Sequence, residues 1–148
     1  MNHIQRSARL GLCIGAAALI TACGVVPYQP TPQDVLVPVK LVGMGSPRMC
    51  RDGKLYSLTT EAGGESVKVP TGQRITFGTF MYFDGYNVSY SCLPRVSFVP
   101  EAGRTYVSNS GLRDQRCFVE VVREDLSRDT GVAPELSLAP PEACGPSK

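Results

Sequence analysis

Six cysteines carry the most distinctive chemistry in this sequence, and Cys23 differs from the others in its surroundings. It follows the charge-free run LGLCIGAAALITA, residues 10–22, and the segment before that run contains Arg6 and Arg9 but no acid. This arrangement is typical of a secretory signal peptide. A membrane span is excluded because a helix of that length covers about 20 Å of a hydrocarbon layer about 30 Å thick. Cys23 is therefore expected at a processing site, where its thiolate is the available nucleophile.

The residues Ile20-Thr21-Ala22-Cys23 resemble the lipobox of bacterial lipoproteins, which is an aliphatic residue, a small or hydroxyl residue, Ala or Gly, and then Cys. The resemblance implies that Cys23 receives a diacylglycerol and that a peptidase cleaves between Ala22 and Cys23. The alternative is an ordinary cleaved signal whose cysteine later joins a disulfide. Signal segment and motif agree here, which favours lipidation. Cys13 follows the bulky Leu12 and is interpreted as an apolar residue of the removed segment.

The same resemblance predicts where the protein resides. Two or three acyl chains hold a protein stably on a bilayer without spanning it, so the lipid bilayer is an expected partner through acyl chains on Cys23. In lipoprotein sorting, Asp after the cysteine implies retention at the inner membrane. The residue here is Gly24, which implies the outer membrane, with the periplasmic face favoured over the cell surface.

Four further cysteines, an even number in an exported chain, predict two disulfide bonds, and three pairings are possible. Metal binding by four thiolates is the alternative, and the long spacings and the oxidising compartment argue against it. Cys92 and Cys117 both fall on the inward faces of predicted strands, which favours a buried bond between them. Cys50 would then pair with Cys144.

Catalytic and nucleic-acid-binding functions find little support. The only histidine is His3, inside the predicted signal, so the mature chain has no imidazole for base catalysis or zinc binding. Motifs of the types Ser-x-x-Lys, Cys-x-x-Cys and Gly-x-Ser-x-Gly are absent, as is a phosphate-binding glycine loop. The formal net charge of +2 is that of Arg6 and Arg9, and without a basic cluster nucleic-acid binding is not expected. The sequence predicts a non-enzymatic protein without cofactor or metal.

Composition divides the chain into four parts. Residues 1–22 form the predicted signal peptide, and residues 23–34 are the lipidated cysteine and a proline-rich tether. An extended tether of about ten residues reaches about 30 Å. Residues 35–125 form the predicted β-sandwich domain. Residues 126–148 are a proline-rich tail, predicted to contain no strand.

Period-two alternation of apolar and polar residues is the main structural pattern within the domain. In VLVPVKL it places Val37 and Val39 on one face, and Pro38 suggests an edge strand. In ESVKVP it places Val67 and Val69 inward. No segment shows a useful helical repeat. The prediction is an all-β fold, a small antiparallel β-sandwich of the immunoglobulin or transthyretin type, stapled by disulfides.

The stretch RITFGTFMYFDGYNVSYSC predicts a hairpin with Asp84-Gly85 in a two-residue type I′ turn. That turn would pair Phe83 with Tyr86 and Phe77 with Cys92 on a core-facing side. The opposite face would carry Phe80 and Tyr82 across from small polar residues.

Phe80 and Tyr82, together with Asn87 and Ser89, are the predicted candidate binding surface, because exposed paired aromatic residues mark contact sites. The alternative is that the tail covers them. Ser108–Gly111 is predicted as a polar turn and resembles the serine-glycine loop of envelope lysozyme inhibitors.

The stretch CLPRVSFVPEAGRTY, residues 92–106, resembles small uncharacterised proteobacterial envelope lipoproteins. The resemblance supports strand-turn-strand structure more than an activity. The leading hypothesis is a membrane-anchored, periplasm-facing lipoprotein that acts as a non-enzymatic interaction or structural module with an envelope protein partner. The alternatives are an inhibitor or immunity module against a toxin or cell-wall hydrolase, and a binder of a small ligand between the sheets.

Overall fold

The computed structural model describes residues 24–145, and this part of the chain folds into eleven β-strands with no helix. The all-β prediction is confirmed. The strands, in chain order, are β1 Val26–Pro27, β2 Leu36–Gly43, β3 Ser46–Arg51, β4 Lys54–Ser57, β5 Ser66–Pro70, β6 Ile75–Asp84, β7 Ser89–Cys92, β8 Arg95–Phe98, β9 Tyr106–Arg113, β10 Arg116–Glu124 and β11 Val132–Pro134.

The strands form two sheets packed face to face. Sheet I has the order β1-β4-β3-β6-β7, and β8 also pairs with β6. Sheet II has the order β11-β10-β9-β2-β5. The predicted sandwich is confirmed. Its core consists of fully buried side chains from both sheets: Val37, Val39, Met49, Val67, Val69, Ile75, Phe77, Phe98, Tyr106 and Val121.

Alternation accounts for which side chains fill this core. Val37 and Val39 of β2 lie opposite Val69 and Val67 of β5, and all four are buried. Successive side chains of a strand point to opposite faces, so each strand contributes every second residue. The inward positions predicted for these two strands are confirmed.

The sandwich is mixed, so the expectation of purely antiparallel sheets is wrong. β2 pairs in parallel with β9, and β1 pairs in parallel with β4. The cause is the crossing between sheets at residues 99–105, after which β9 runs alongside β2 in the same direction. β2 is consequently an interior strand. Pro38 is compatible with that position because pairing with β9 begins one residue later, at Val39.

The predicted hairpin register is also wrong. The structure pairs Met81 with Cys92 and Phe83 with Tyr90. The loop is the four residues Gly85–Val88, closed by a hydrogen bond of 3.0 Å from the Gly85 amide to the Val88 carbonyl.

The physical reason for the different register lies beyond the turn. Neither Asp84 nor Gly85 has a positive φ, so the type I′ turn does not form. β8 pairs with β6 in the same register as β7, with Phe77 opposite Val96. The pairing of both β7 and β8 along β6 therefore sets the register of the hairpin. Because the difference in register is an even number of residues, each side chain that remains in a strand keeps its predicted face.

The left-handed two-residue turn lies at Asp114-Gln115 instead, where φ is 51° and 61°. It joins β9 to β10 between the paired Arg113 and Arg116. The predicted loop Ser108–Gly111 is part of β9, so that prediction is wrong. These residues continue the alternation of β9, which buries small polar side chains on its inner face.

Both terminal segments are docked on the sandwich, which contradicts two predictions. The expected tether contains β1, and Tyr28 after it packs against Tyr56 with ring centroids 5.7 Å apart. The tail, predicted to be strandless, contains β11, and Ala139 pairs with Ser97 of β8. Prolines are tolerated here because such short strands at sheet edges require few backbone donors.

Gly43 lies where β2 and β9 approach each other closely, and no residue with a side chain fits at this position. Its φ is +101°, and a Cβ atom there would overlap the Ser110 backbone carbonyl. Gly63 has nearly the same φ, +100°, and a Cβ atom at that residue would meet no other atom within 4 Å.

We expect Gly63→Ala to lower the free energy of unfolding by about 1–2 kcal/mol, because an alanine resists this left-handed backbone torsion. Gly43→Ala should cost about 1–3 kcal/mol more for the overlap. Urea unfolding of the two variants measures the difference, and equal losses would show that β2 and β9 are farther apart.

Candidate functional site

Two disulfides staple the sandwich, in the predicted pairing. Cys92 of β7 is joined to Cys117 of β10, with Cα atoms 6.5 Å apart, and so links the two sheets. Cys50 of β3 is joined to Cys144, with Cα atoms 5.9 Å apart, and so fastens the tail. Both cysteines of the first bond are partly exposed, so this bond lies at the rim of the sandwich and not in the core as expected.

The predicted lipidation and cleavage residues, Cys23 and Ala22, lie outside the described residues. Within residues 24–145 there is no helix that is long and apolar enough to cross a bilayer.

The candidate binding surface lies on the outer face of sheet I, as predicted. Phe80 and Tyr82 of β6 are 37% and 60% exposed. Asn87 lies in the hairpin loop and Ser89 begins β7, and both are exposed. The corrected register places Ser91 opposite Tyr82.

Three apolar residues of the hairpin were missed as surface residues, because the prediction placed Tyr86 and Val88 in a strand and took the whole face of Tyr90 to be covered. Tyr86 in the loop is 99% exposed, Val88 is 72% exposed, and Tyr90 of β7 is 47% exposed. Tyr86 and Val88 lie in the loop of the hairpin, whereas Tyr90 stays opposite Phe83, with its hydroxyl 3.7 Å from the Cys117 sulfur at the rim of sheet II. The loop composition Gly-Tyr-Asn-Val was the available signal for a four-residue turn. We call Phe80, Tyr82, Tyr86, Val88 and Tyr90 together the aromatic hairpin surface.

Beside this surface lies an outer groove of about 430 Å³ on the outer face of sheet I. Its walls are mostly apolar and are formed by Val25, Arg48, Leu55, Phe80, Ser91, Cys92 and Leu93. The Arg48 guanidinium lies 5.9 Å from the centroid of the Phe80 ring, within the range of a cation–π contact.

The tail covers the outer face of sheet I elsewhere, next to this groove. The Glu142 amide donates a hydrogen bond of 3.1 Å to the Thr76 hydroxyl, four residues before Phe80 along β6. The tail then reaches Cys50, which is opposite Thr76 in β3. The alternative that the tail buries Phe80 and Tyr82 is therefore wrong.

A partly buried ionic cluster ties the N-terminal segment to β3. The Asp34 carboxylate lies 2.9 Å from the Arg51 guanidinium and accepts a hydrogen bond of 3.0 Å from the Tyr28 hydroxyl. The backbone amide of Thr31 donates to the same carboxylate and is the main cause that lowers the pKa of Asp34 to about 2. Burial, followed by the hydrogen bond to Asp34, raises the pKa of Tyr28 to about 12. The segment that contains β1 is thus an integral part of the domain.

A second groove, also about 430 Å³, opens between the sheets where β8 faces β10. Val96, Val119 and Leu138 form its apolar wall. Glu135 lines it as well, and its Oε1 accepts hydrogen bonds from the amide and hydroxyl of Ser137 at 2.7 and 2.6 Å. This groove is the place that the structure offers for the predicted small ligand between the sheets.

Comparison of the chain with family models, with curated proteins and with solved structures finds no match. The loop that suggested an inhibitor, Ser108–Gly111, is a strand with Ser108 and Ser110 buried. The aromatic hairpin surface and the outer groove are therefore the strongest candidate site in the described part of the chain.

Proposed function

We propose that this protein is a lipoprotein of the bacterial cell envelope, anchored by acyl chains on Cys23. Its sandwich acts as a non-enzymatic interaction module on the periplasmic side of the outer membrane. The observation that carries the anchor is the motif Ile20-Thr21-Ala22-Cys23 at the end of a charge-free run. Two disulfides within so small a domain support an exported, oxidising location.

The aromatic hairpin surface supports the interaction role. Its exposed apolar residues lie on the outer face of the hairpin, in its loop and on the opposite face, and exposed apolar residues close together are typical of contact sites. Tyrosine supplies a large contact area at a low cost in side-chain entropy, which favours its use at protein interfaces. The hairpin presents three tyrosines, at positions 82, 86 and 90, and Asp84 is the only charged residue between Phe80 and Cys92.

The anchor is tested by metabolic labelling with palmitate, with a matched control inside the same sequence. Because acylation needs the thiol at the cleavage site, Cys23→Ser should abolish labelling and leave an uncleaved or soluble protein. Cys13→Ser should label and fractionate like the wild type. Normal labelling of the Cys23→Ser protein would refute the assignment.

The interaction role is tested by co-purification from detergent-solubilised envelopes with the anchor intact. A partner retained by the wild type should be lost when Tyr82 and Tyr86 are both replaced by alanine. The matched control replaces Leu126 and Leu136, which are 83% and 82% exposed and lie outside the hairpin. A partner lost equally in both variants, or in neither, would contradict a contact through the hairpin.

A further inference from the structure

β7 ends sheet I and, among the described residues, pairs only with β6. The hydrogen bonds of this ladder show which of its backbone groups are engaged. The Val88 and Pro94 carbonyls accept hydrogen bonds from Gly85 and Thr79, at 3.0 and 3.3 Å. Since the groups of an antiparallel strand point alternately toward and away from one neighbour, the amides and carbonyls of Ser89 and Ser91 point to the free side.

The chain itself shows that this side can pair with the backbone of another segment. Ser97 of β8 lies on the same side in the same alternation, and it exchanges two hydrogen bonds with Ala139, of 3.0 and 2.9 Å. The tail continues with Pro140 and Pro141, which have no amide hydrogen to donate. It leaves the edge at this point, so the part of the edge next to β7 stays open.

The open edge lacks the usual protection against strand addition. Natural edge strands carry charges, prolines or bulges that block pairing with another chain. β7 has the sequence Ser-Tyr-Ser-Cys, without charge or proline. Ser89 and Ser91 are small, and Ser91, opposite Tyr82, lines the outer groove together with Phe80.

The chemistry of the groove indicates what kind of strand would fit. A second copy of β7 would offer two serines on this face, and these are too small and polar to fill an apolar groove. An added strand with an apolar side chain at every second position would pair with the Ser89 and Ser91 backbone and place those side chains in the groove. This is the mode of recognition in which backbone bonds provide affinity and pockets provide specificity.

We propose that β7 is a docking edge for an extended segment of a partner protein, with alternating apolar side chains, which joins sheet I as an additional strand. The proposal rests on the proposed interaction function and names the kind of partner that the module takes.

The test uses the full-length protein and a blocked synthetic peptide of alternating Val and Thr residues. Amide hydrogen exchange is measured by NMR with and without the peptide. Binding should slow exchange at Ser89 and Ser91, while the Tyr90 amide, which faces β6, should change little. Ser91→Pro removes one outward donor without touching the bonds to β6, and should weaken binding about tenfold.

A second variant covers the case in which the proline disturbs folding. Ser91→Lys places a charge on the edge and should also weaken binding about tenfold, whereas Thr60→Lys, at another exposed position, should bind like the wild type. Unchanged exchange at Ser89 and Ser91, or protection elsewhere, would overturn the proposal. A free protein that is already dimeric, with both amides protected, would overturn it in favour of a second copy. The peptide assay does not depend on lipid at Cys23, so a failed palmitate experiment is distinguishable from a failed docking edge.

Discussion

Replacing Phe77 by alanine should destabilise the domain by about 3–5 kcal/mol, the cost of emptying a large buried volume. Phe77 of β6 is fully buried in the core between the two sheets. Few neighbours can move into the space because it is bounded by strands held in register on both sides. Urea or thermal unfolding of the purified protein measures the loss.

Phe80→Ala is the matched control for this prediction. The residue is of the same type, in the same strand, three positions away, and its side chain lies on the outer face at 37% exposure. Its replacement should cost only about 1 kcal/mol, since most of the lost contact is with the outer groove and Arg48. The same variant should weaken partner binding. Equal losses of stability would mean that both faces of β6 are buried in the protein. Phe80 would then be a core residue, which would contradict a binding role for the aromatic hairpin surface.

Removing the bond between Cys50 and Cys144 by a double serine substitution should cost about 4–5 kcal/mol. This bond closes a loop with a sequence separation of 94, and the entropy that a crosslink removes from the unfolded chain grows with loop length. The bond between Cys92 and Cys117 has a separation of only 25, so its removal should cost about 3.5 kcal/mol.

The order of the two losses is the informative result. Chemical denaturation of the two double variants, compared with the oxidised wild type, gives both values under the same conditions. A larger loss from the Cys92–Cys117 variant would mean that linking the sheets stabilises the fold more than closing the long loop does. Amide exchange near Glu142 should also rise in the Cys50–Cys144 variant, because the tail loses its covalent attachment.

The faces of the strands were predictable from sequence because alternation is a local property. Phe77 and Phe80 received the correct sides although the hairpin register was wrong, since both lie in β6 and alternation within one strand does not depend on its pairing. The register itself was not predictable from the turn. It depends on β8 pairing with the far end of β6, and the Asp84-Gly85 dipeptide carries no information about that pairing.

The mixed sheets and the docked termini depend on contacts between residues far apart in the sequence. The parallel pairing of β2 with β9 follows from a crossing between the sheets, and no local pattern encodes its direction. Proline content correctly marked the terminal segments as unusual, but it could not show that Tyr28, Asp34 and Arg51 converge. Of the aromatic hairpin surface, only Phe80 and Tyr82 were predicted. The exposure of Tyr86 and Val88 could not be predicted without knowing that residues 85–88 form a four-residue loop.

The docking of β1 changes what a lipid at Cys23 would mean for the protein's freedom of movement. From Cys23 to Val26, where β1 begins, the backbone spans at most about 11 Å. The predicted free tether of about ten residues would have reached about 30 Å. With so short a link, the domain would stay next to the bilayer and sample few orientations, so the side of the sandwich that carries β1 would face the membrane.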